Sequence, residues 1–87
     1  MTAFKLKQIG VKSGVPDICL PVARGGCHGL YIEMKRRNEG KATDNQKTWI
    51  AALREEGYAA GVCRGMEDAK RVILAYLERE KTQVACI

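Results

Sequence analysis

The chain has 87 residues, of which 46% are hydrophobic and 29% charged, and its formal net charge is +5 at pH 7. That balance excludes a disordered tail, and the length allows one domain over residues 1–87, small enough that a partner subunit would help to complete its thin core. No apolar run approaches the roughly 18–20 residues that cross a bilayer, and the leading "MTAFKLKQIG" lacks a signal peptide's apolar core, so an intracellular protein without membrane contact is expected.

In chain order, "TAFKLKQIG" predicts a short helix stopped by Gly10. After the punctuation of Gly14 and Pro16, "DICLPV" predicts a strand that its proline ends early or confines to an edge. "ARGGC" is a turn. "HGLYIEMKR" alternates, with Leu30, Ile32 and Met34 on one face and Tyr31, Glu33 and Lys35 on the other, so the two strands form a hairpin. "RNEGKA" is a polar loop. "TDNQKTWIAALREEG" predicts a helix with Thr43 or Asp44 as N-cap, Trp49, Ile50 and Leu53 at helical spacing, and Gly57 as its stop. "YAAGVCR" is a buried strand, and "MEDAKRVILAYLEREK" is a helix with Ala69, Val72, Ile73, Tyr76 and Leu77 on one stripe; "TQVACI" is left as a tail. The strand, helix, strand portion should cross over so that the third strand runs parallel to the second, giving an α/β fold with a small mixed sheet flanked by helices.

Residues i and i+2 of a strand share a face, so Glu33 and Lys35 stand side by side while Ile32 and Met34 anchor the opposite face. Asp17 opens the preceding strand, and hairpin pairing brings its carboxylate toward that of Glu33. Two such carboxylates repel and become compatible when a hard, oxygen-preferring divalent cation such as magnesium sits between them. Lys35 would then be the compact cation beside an attacked phosphate or water, and Gln46, in the first turn of the following helix, would meet a phosphate or orient the water. Together the four describe metal-dependent phosphodiester hydrolysis. Each has a plainer explanation: Asp17 as a turn residue, Glu33 and Lys35 as a solvated strand face, Gln46 as half of a capping box with Thr43. The conjunction carries the reading.

Cys19, Cys27, Cys63 and Cys86 form no CxxC pair and no repeated spacing, so neither a disulfide framework nor a structural zinc site is expected. Cys27 and His28, as neighbours on a strand or tight turn, point apart. Lys5, Lys7 and Lys12 precede the first acidic residue, Asp17. A basic leading segment suits a polyanionic partner, nucleic acid first, and a solvated charged surface is the alternative.

"GVPDICLP", "GLYIEMK" and "TDNQKTWIAALREEGYAAGVCRG" together resemble the virus-type replication-repair nuclease family, the VRR-NUC domain, within the PD-(D/E)xK nuclease superfamily, over about Gly10 to Leu77. The chain is similar to the compact stand-alone form found in phages, which implies a restriction-endonuclease-like core and the cytoplasm of a bacterial host. The resemblance implies that Asp17 and Glu33 bind a metal with the main-chain carbonyl of Met34, that Lys35 is catalytic, and that Gln46 is the supporting polar residue. It implies magnesium, with manganese able to substitute, and branched DNA as substrate, cut by a homodimer as a Holliday-junction resolvase does. Fused members act on flaps instead. The chain departs from the family in having no Asp or Glu before Asp17, where an upstream helix usually bears one.

Lys5, Lys7, Lys12, Arg24, Lys41 and Lys47 are the expected phosphate contacts, chosen by proximity in sequence to the site. Two rival readings are a DNA-binding module of the same fold without catalysis, and a small α/β interaction subunit whose charges only keep it soluble.

Overall fold

In the computed structural model, residues 13–83 are described. The expected helix over "TAFKLKQIG", the lysines Lys5, Lys7 and Lys12, Cys86 and most of the "TQVACI" tail lie outside them.

Alternation in "LYIEMK" sets the architecture. Among the described residues, strand β2, Leu30–Lys35, is the middle of a three-stranded sheet, with β1, Ile18–Leu20, antiparallel on one side and β3, Ala59–Arg64, parallel on the other. Ile18 faces Ile32 in the first pairing and Glu33 faces Val62 in the second. The parallel pairing follows from the intervening helix α1, Asp44–Glu55; helix α2, Met66–Leu77, follows β3. This is the mixed sheet with flanking helices expected from the sequence.

One helix covers each face of the sheet. Leu30 and Ile32 pack with Cys63, Ala69 and Tyr76 beneath α2, joined by half-buried Ile18, Leu20, Met34, Val72 and Ile73. Trp49, Ile50, Ala52 and Leu53 of α1 pack on Ala60, with Tyr31, Tyr58 and Val62 against them. Tyr31, Glu33 and Lys35 therefore lie on the α1 side. The phenol of Tyr76 donates to the Val22 carbonyl at 2.6 Å, tying α2 to the hairpin loop. Leu77 departs from the expected stripe and is exposed: as the last helical residue it stands about 100° round from Tyr76, at the stripe's outer border.

The turns follow their glycines. Gly57 stops α1 with φ 91°, and a Cβ there would lie 2.7 Å from the His28 ring. His28 itself meets Tyr58 edge-on while neighbouring Cys27 packs on the α2 side, so the two do point apart. Ala59 of β3 and Gly65 just after it donate to the β2-side carbonyls of Gly29 and Lys35, so by strand alternation the backbone groups of Ala60, Val62 and Arg64 face outward. Two of those are taken: Arg54 Nε donates to the Ala60 carbonyl at 2.9 Å, and Arg64 N–H donates to Asp68 Oδ2 at 3.0 Å.

Candidate active site

Asp17 reaches the site through a turn that only glycine allows. Gly14 has φ 90° and packs so closely on the start of α1 that a Cβ would lie 2.6 Å from the Asn45 carbonyl carbon and 2.7 Å from the Gln46 nitrogen. Asn45 Nδ2 donates to Ser13 Oγ at 2.7 Å, a second tie between turn and helix. The turn delivers Asp17 to the mouth of β1, where its Oδ2 accepts the Met34 N–H at 2.9 Å. Gly14→Ala is expected to destabilise the fold by about 1–2 kcal/mol and to displace Asp17; a chemical-denaturation curve measures the first, and a changed Met34 amide shift the second.

Glu33 is buried, 6% exposed, on the α1 face of β2. Burial, and next the charge of Asp17 against it, pushes its carboxyl above the ordinary carboxylate range. Asp17 is near enough to raise the Glu33 carboxyl both by its charge and by hydrogen bonding. Gln46 Nε2 donates to Glu33 Oε2 at 3.0 Å. The same amide's oxygen accepts the Thr43 N–H at 2.8 Å while Gln46 N–H donates to Thr43 Oγ1 at 3.2 Å, which completes a capping box. The capping box and the contact with Glu33 coexist: the box fixes the amide whose nitrogen meets the Glu33 carboxylate.

Lys35, two residues on along the same face, has a side chain only 10% exposed, and its ammonium lies 3.6 Å from Glu39 Oε2. Beside the carboxylates stands the cross-strand pair Cys19 and Tyr31. The hydrogen bond with Cys19, then burial, pushes the Tyr31 phenol up to about 12, so it is not a base at neutral pH. A cavity of about 360 Å³ between β3 and α2, lined by Gly61, Cys63, Arg71 and Arg79 among others, opens on the other side of the sheet and touches none of the four residues.

Asp17, Glu33, Lys35 and Gln46 are thus gathered on one face. Lys41 and Lys47 are exposed just before α1 and in its first turns. Arg24 is not gathered with them: it sits in the hairpin loop beyond the Leu20 and Leu30 pair, at the far end from Asp17, and donates to the Ala23 carbonyl at 2.8 Å. The sequence does not single out Glu39, whose position four residues after Lys35 in a polar loop gives no pattern to read, or Arg64, the last residue of β3.

Two neighbouring carboxylates, one of them buried, suit a hard divalent cation that takes one or two carboxylates and keeps several waters. Among the described residues no group of three or more His, Cys, Asp or Glu is arranged to hold a metal. Among the described residues, too, no helix is long and apolar enough to cross a membrane.

The family model described as VRR-NUC domain matches residues 2–67. A solved structure, a VRR_NUC domain protein, is similar over 93% of this chain with 41% sequence identity and a TM-score of 0.80. This chain spans 66% of that protein's length. No match was found among curated proteins.

Proposed function

The chain belongs to the VRR-NUC domain family, a family of nuclease domains, and on that premise we propose that it is a metal-dependent, structure-selective DNA endonuclease, a single nuclease domain acting as a homodimer on four-way junctions. The observation that carries this reading is the buried Glu33 carboxylate held against Asp17 by Gln46, with Lys35 on the same face. Asp17, Glu33 and the Met34 carbonyl would hold magnesium, or manganese in its place. When bound, the ion supplies charge neutralisation at the phosphate and a lowered pKa for water.

The chain's own residues do the rest. Gln46 fixes the Glu33 carboxylate, so its lone pairs face one direction before substrate arrives. Lys35 presents a compact cation to the scissile phosphate or the attacking water. The α1 N-terminus adds partial positive charge on the same side. Lys5, Lys7, Lys12, Lys41 and Lys47 supply phosphate contacts. Arg24, at the far end of the hairpin, contacts a more distant part of a branched substrate.

The test is cleavage of a labelled four-way junction, with duplex and flap controls, by the chain and by Glu33→Ala in magnesium, manganese and EDTA. Metal-dependent cutting that needs Glu33, with symmetric nicks on opposing strands, is the expected result. Binding should also weaken steeply with salt, since each neutralised phosphate releases counterions. Junction binding of equal strength with and without magnesium, never followed by cutting, would favour a binding module of the same fold. Cutting confined to flaps would reassign the substrate, and cutting by Glu33→Ala would refute the site.

A further inference from the structure

The strand that carries Lys35 ends in a loop gripped from the neighbouring strand, where Arg64 pairs with Lys35 in the register. The half-buried Arg64, last residue of β3, reaches across it: Nη1 donates to the Glu39 carbonyl at 2.8 Å and the Arg36 carbonyl at 3.4 Å, and Nη2 to the Gly40 carbonyl at 3.1 Å. The next residue, Gly65, donates its N–H to the carbonyl of Lys35 itself at 3.0 Å. Inside the loop, Glu39 N–H donates to the Arg36 carbonyl at 3.1 Å, and Glu39 Oε1 accepts the Arg36 N–H at 2.9 Å. The second oxygen of that carboxylate is the one facing the Lys35 ammonium. Arg64 is itself anchored, its N–H on Asp68 Oδ2 and Asp68 paired with Arg71.

A guanidinium spreads its donors over a rigid planar fork, so its two terminal nitrogens can span carbonyls too far apart for a single ammonium nitrogen to serve equally well. The Arg36 N–H above all, with Lys35 beside it, holds the Glu39 carboxyl below its ordinary range, so the group is an anion throughout the neutral region.

We propose that Arg64 is a positioning residue for Lys35, acting through the loop of residues 36–40 and the carboxylate of Glu39. The proposal rests on the nuclease reading above. Glu39 is fixed by its backbone partners before DNA arrives, and one contact at 3.6 Å leaves the ammonium with donors for a phosphate or a water. Glu39 therefore orients Lys35 rather than withholding it. Arg64 never touches substrate in this arrangement; the loop transmits its effect.

The experiment compares Arg64→Ala, Arg64→Lys, Glu39→Ala and the double variant Arg64→Ala with Glu39→Ala, all in the full chain, on a four-way junction. Each single variant should lower kcat by about tenfold to a hundredfold, the range a slight misplacement of a reacting group produces, with junction affinity and its salt slope unchanged. The double variant should be no slower than the slower single one, because both act through the same contact. Arg64→Lys should recover little. Losses that multiply in the double variant would overturn the coupling. A weaker affinity with a salt slope reduced by about one would make Arg64 a phosphate contact instead. A Glu39→Ala chain faster than the parent would make Glu39 a latch on Lys35 and overturn the proposal.

Amide hydrogen exchange decides the clamp without reference to cleavage. Arg36 and Glu39 should lose protection in Arg64→Ala, and unchanged protection would overturn it. A parent chain that cuts no DNA would refute the nuclease reading, and the exchange result would still stand or fall separately.

Discussion

Replacing Glu33 by Gln is expected to abolish cleavage and, in the absence of metal, to make the protein more stable. The carboxylate is buried against Asp17, an arrangement that disfavours its charged form. A neutral amide of the same shape can still accept from Gln46 Nε2 and can donate to Asp17, so the substitution removes repulsion without orphaning a partner. The gain at pH 7.5 should be about 1 kcal/mol, which for a chain of this size is roughly 4–8 °C in melting temperature. The sign with pH is fixed by the raised folded pKa: no penalty exists below the ordinary 4.5, and stability is lost as pH rises through the higher folded value. The difference between variant and parent should therefore be near zero at acid pH and grow above it. Glu39 and Asp68, both held low by backbone N–H groups, run the other way and lose their contribution as pH falls through their lowered values. They are common to both proteins and cancel in the comparison. Magnesium or manganese at a hundredfold excess over its dissociation constant should stabilise the parent by about 2.7 kcal/mol and the variant hardly at all. Thermal melts with and without metal across pH measure all of this, and a Glu33→Gln protein less stable than its parent at neutral pH would refute the repulsion.

Ile32→Ala is the substitution expected to damage the fold most. Ile32 is 1% exposed, at the centre of β2, pairing with Ile18 on one side and Gly61 on the other, and packed with Cys63, Ala69 and Tyr76 under α2. Emptying that position removes transfer free energy and leaves a cavity that neighbours on two strands and a helix cannot all close. A loss of about 3–4 kcal/mol follows, set against a total of about 5–10 kcal/mol for a domain of this size. Denaturant titration should show the midpoint fall accordingly, with Ile32→Val recovering all but about 1 kcal/mol. Because Tyr31 and Glu33 flank Ile32 on the same strand, the site should loosen with the core. An Ile32→Ala midpoint within the error of the parent would mean that the sheet does not depend on this contact.

What the sequence revealed and what it concealed divides by the range of the interaction. Period-two alternation in "LYIEMK" identifies both the core face and the face that bears Glu33 and Lys35, because strand geometry makes that pattern local. The capping box is equally local, three residues from Thr43 to Gln46, and so is the glycine stop at Gly57. The Asp17 and Glu33 contact is legible once the hairpin is assumed. Glu39 and Arg64 were not legible, since a loop has no period and the clamp joins residues some 25 positions apart through main-chain carbonyls, which every residue has. Leu77 misled because a helical stripe has no sharp boundary where the helix ends. Gly14 reads as a turn residue from sequence, but its close approach to Asn45 and Gln46 is tertiary.

Among the described residues, no strand pairs with the outer side of β3. An edge strand of small, mostly uncharged residues offers a ready template for self-association into cross-β aggregates. Here the carbonyl of Ala60 is occupied by Arg54 and the amide of Arg64 by Asp68. In an antiparallel copy centred on Val62 those two groups would be each other's hydrogen-bond partners, so the pairing that would lengthen the sheet from one molecule to the next is interrupted on both sides of its centre. The charged side chains that flank this strand act as gatekeepers. Trimming Arg54 or Asp68 to alanine would expose the protein to fibril growth at concentrations the parent tolerates.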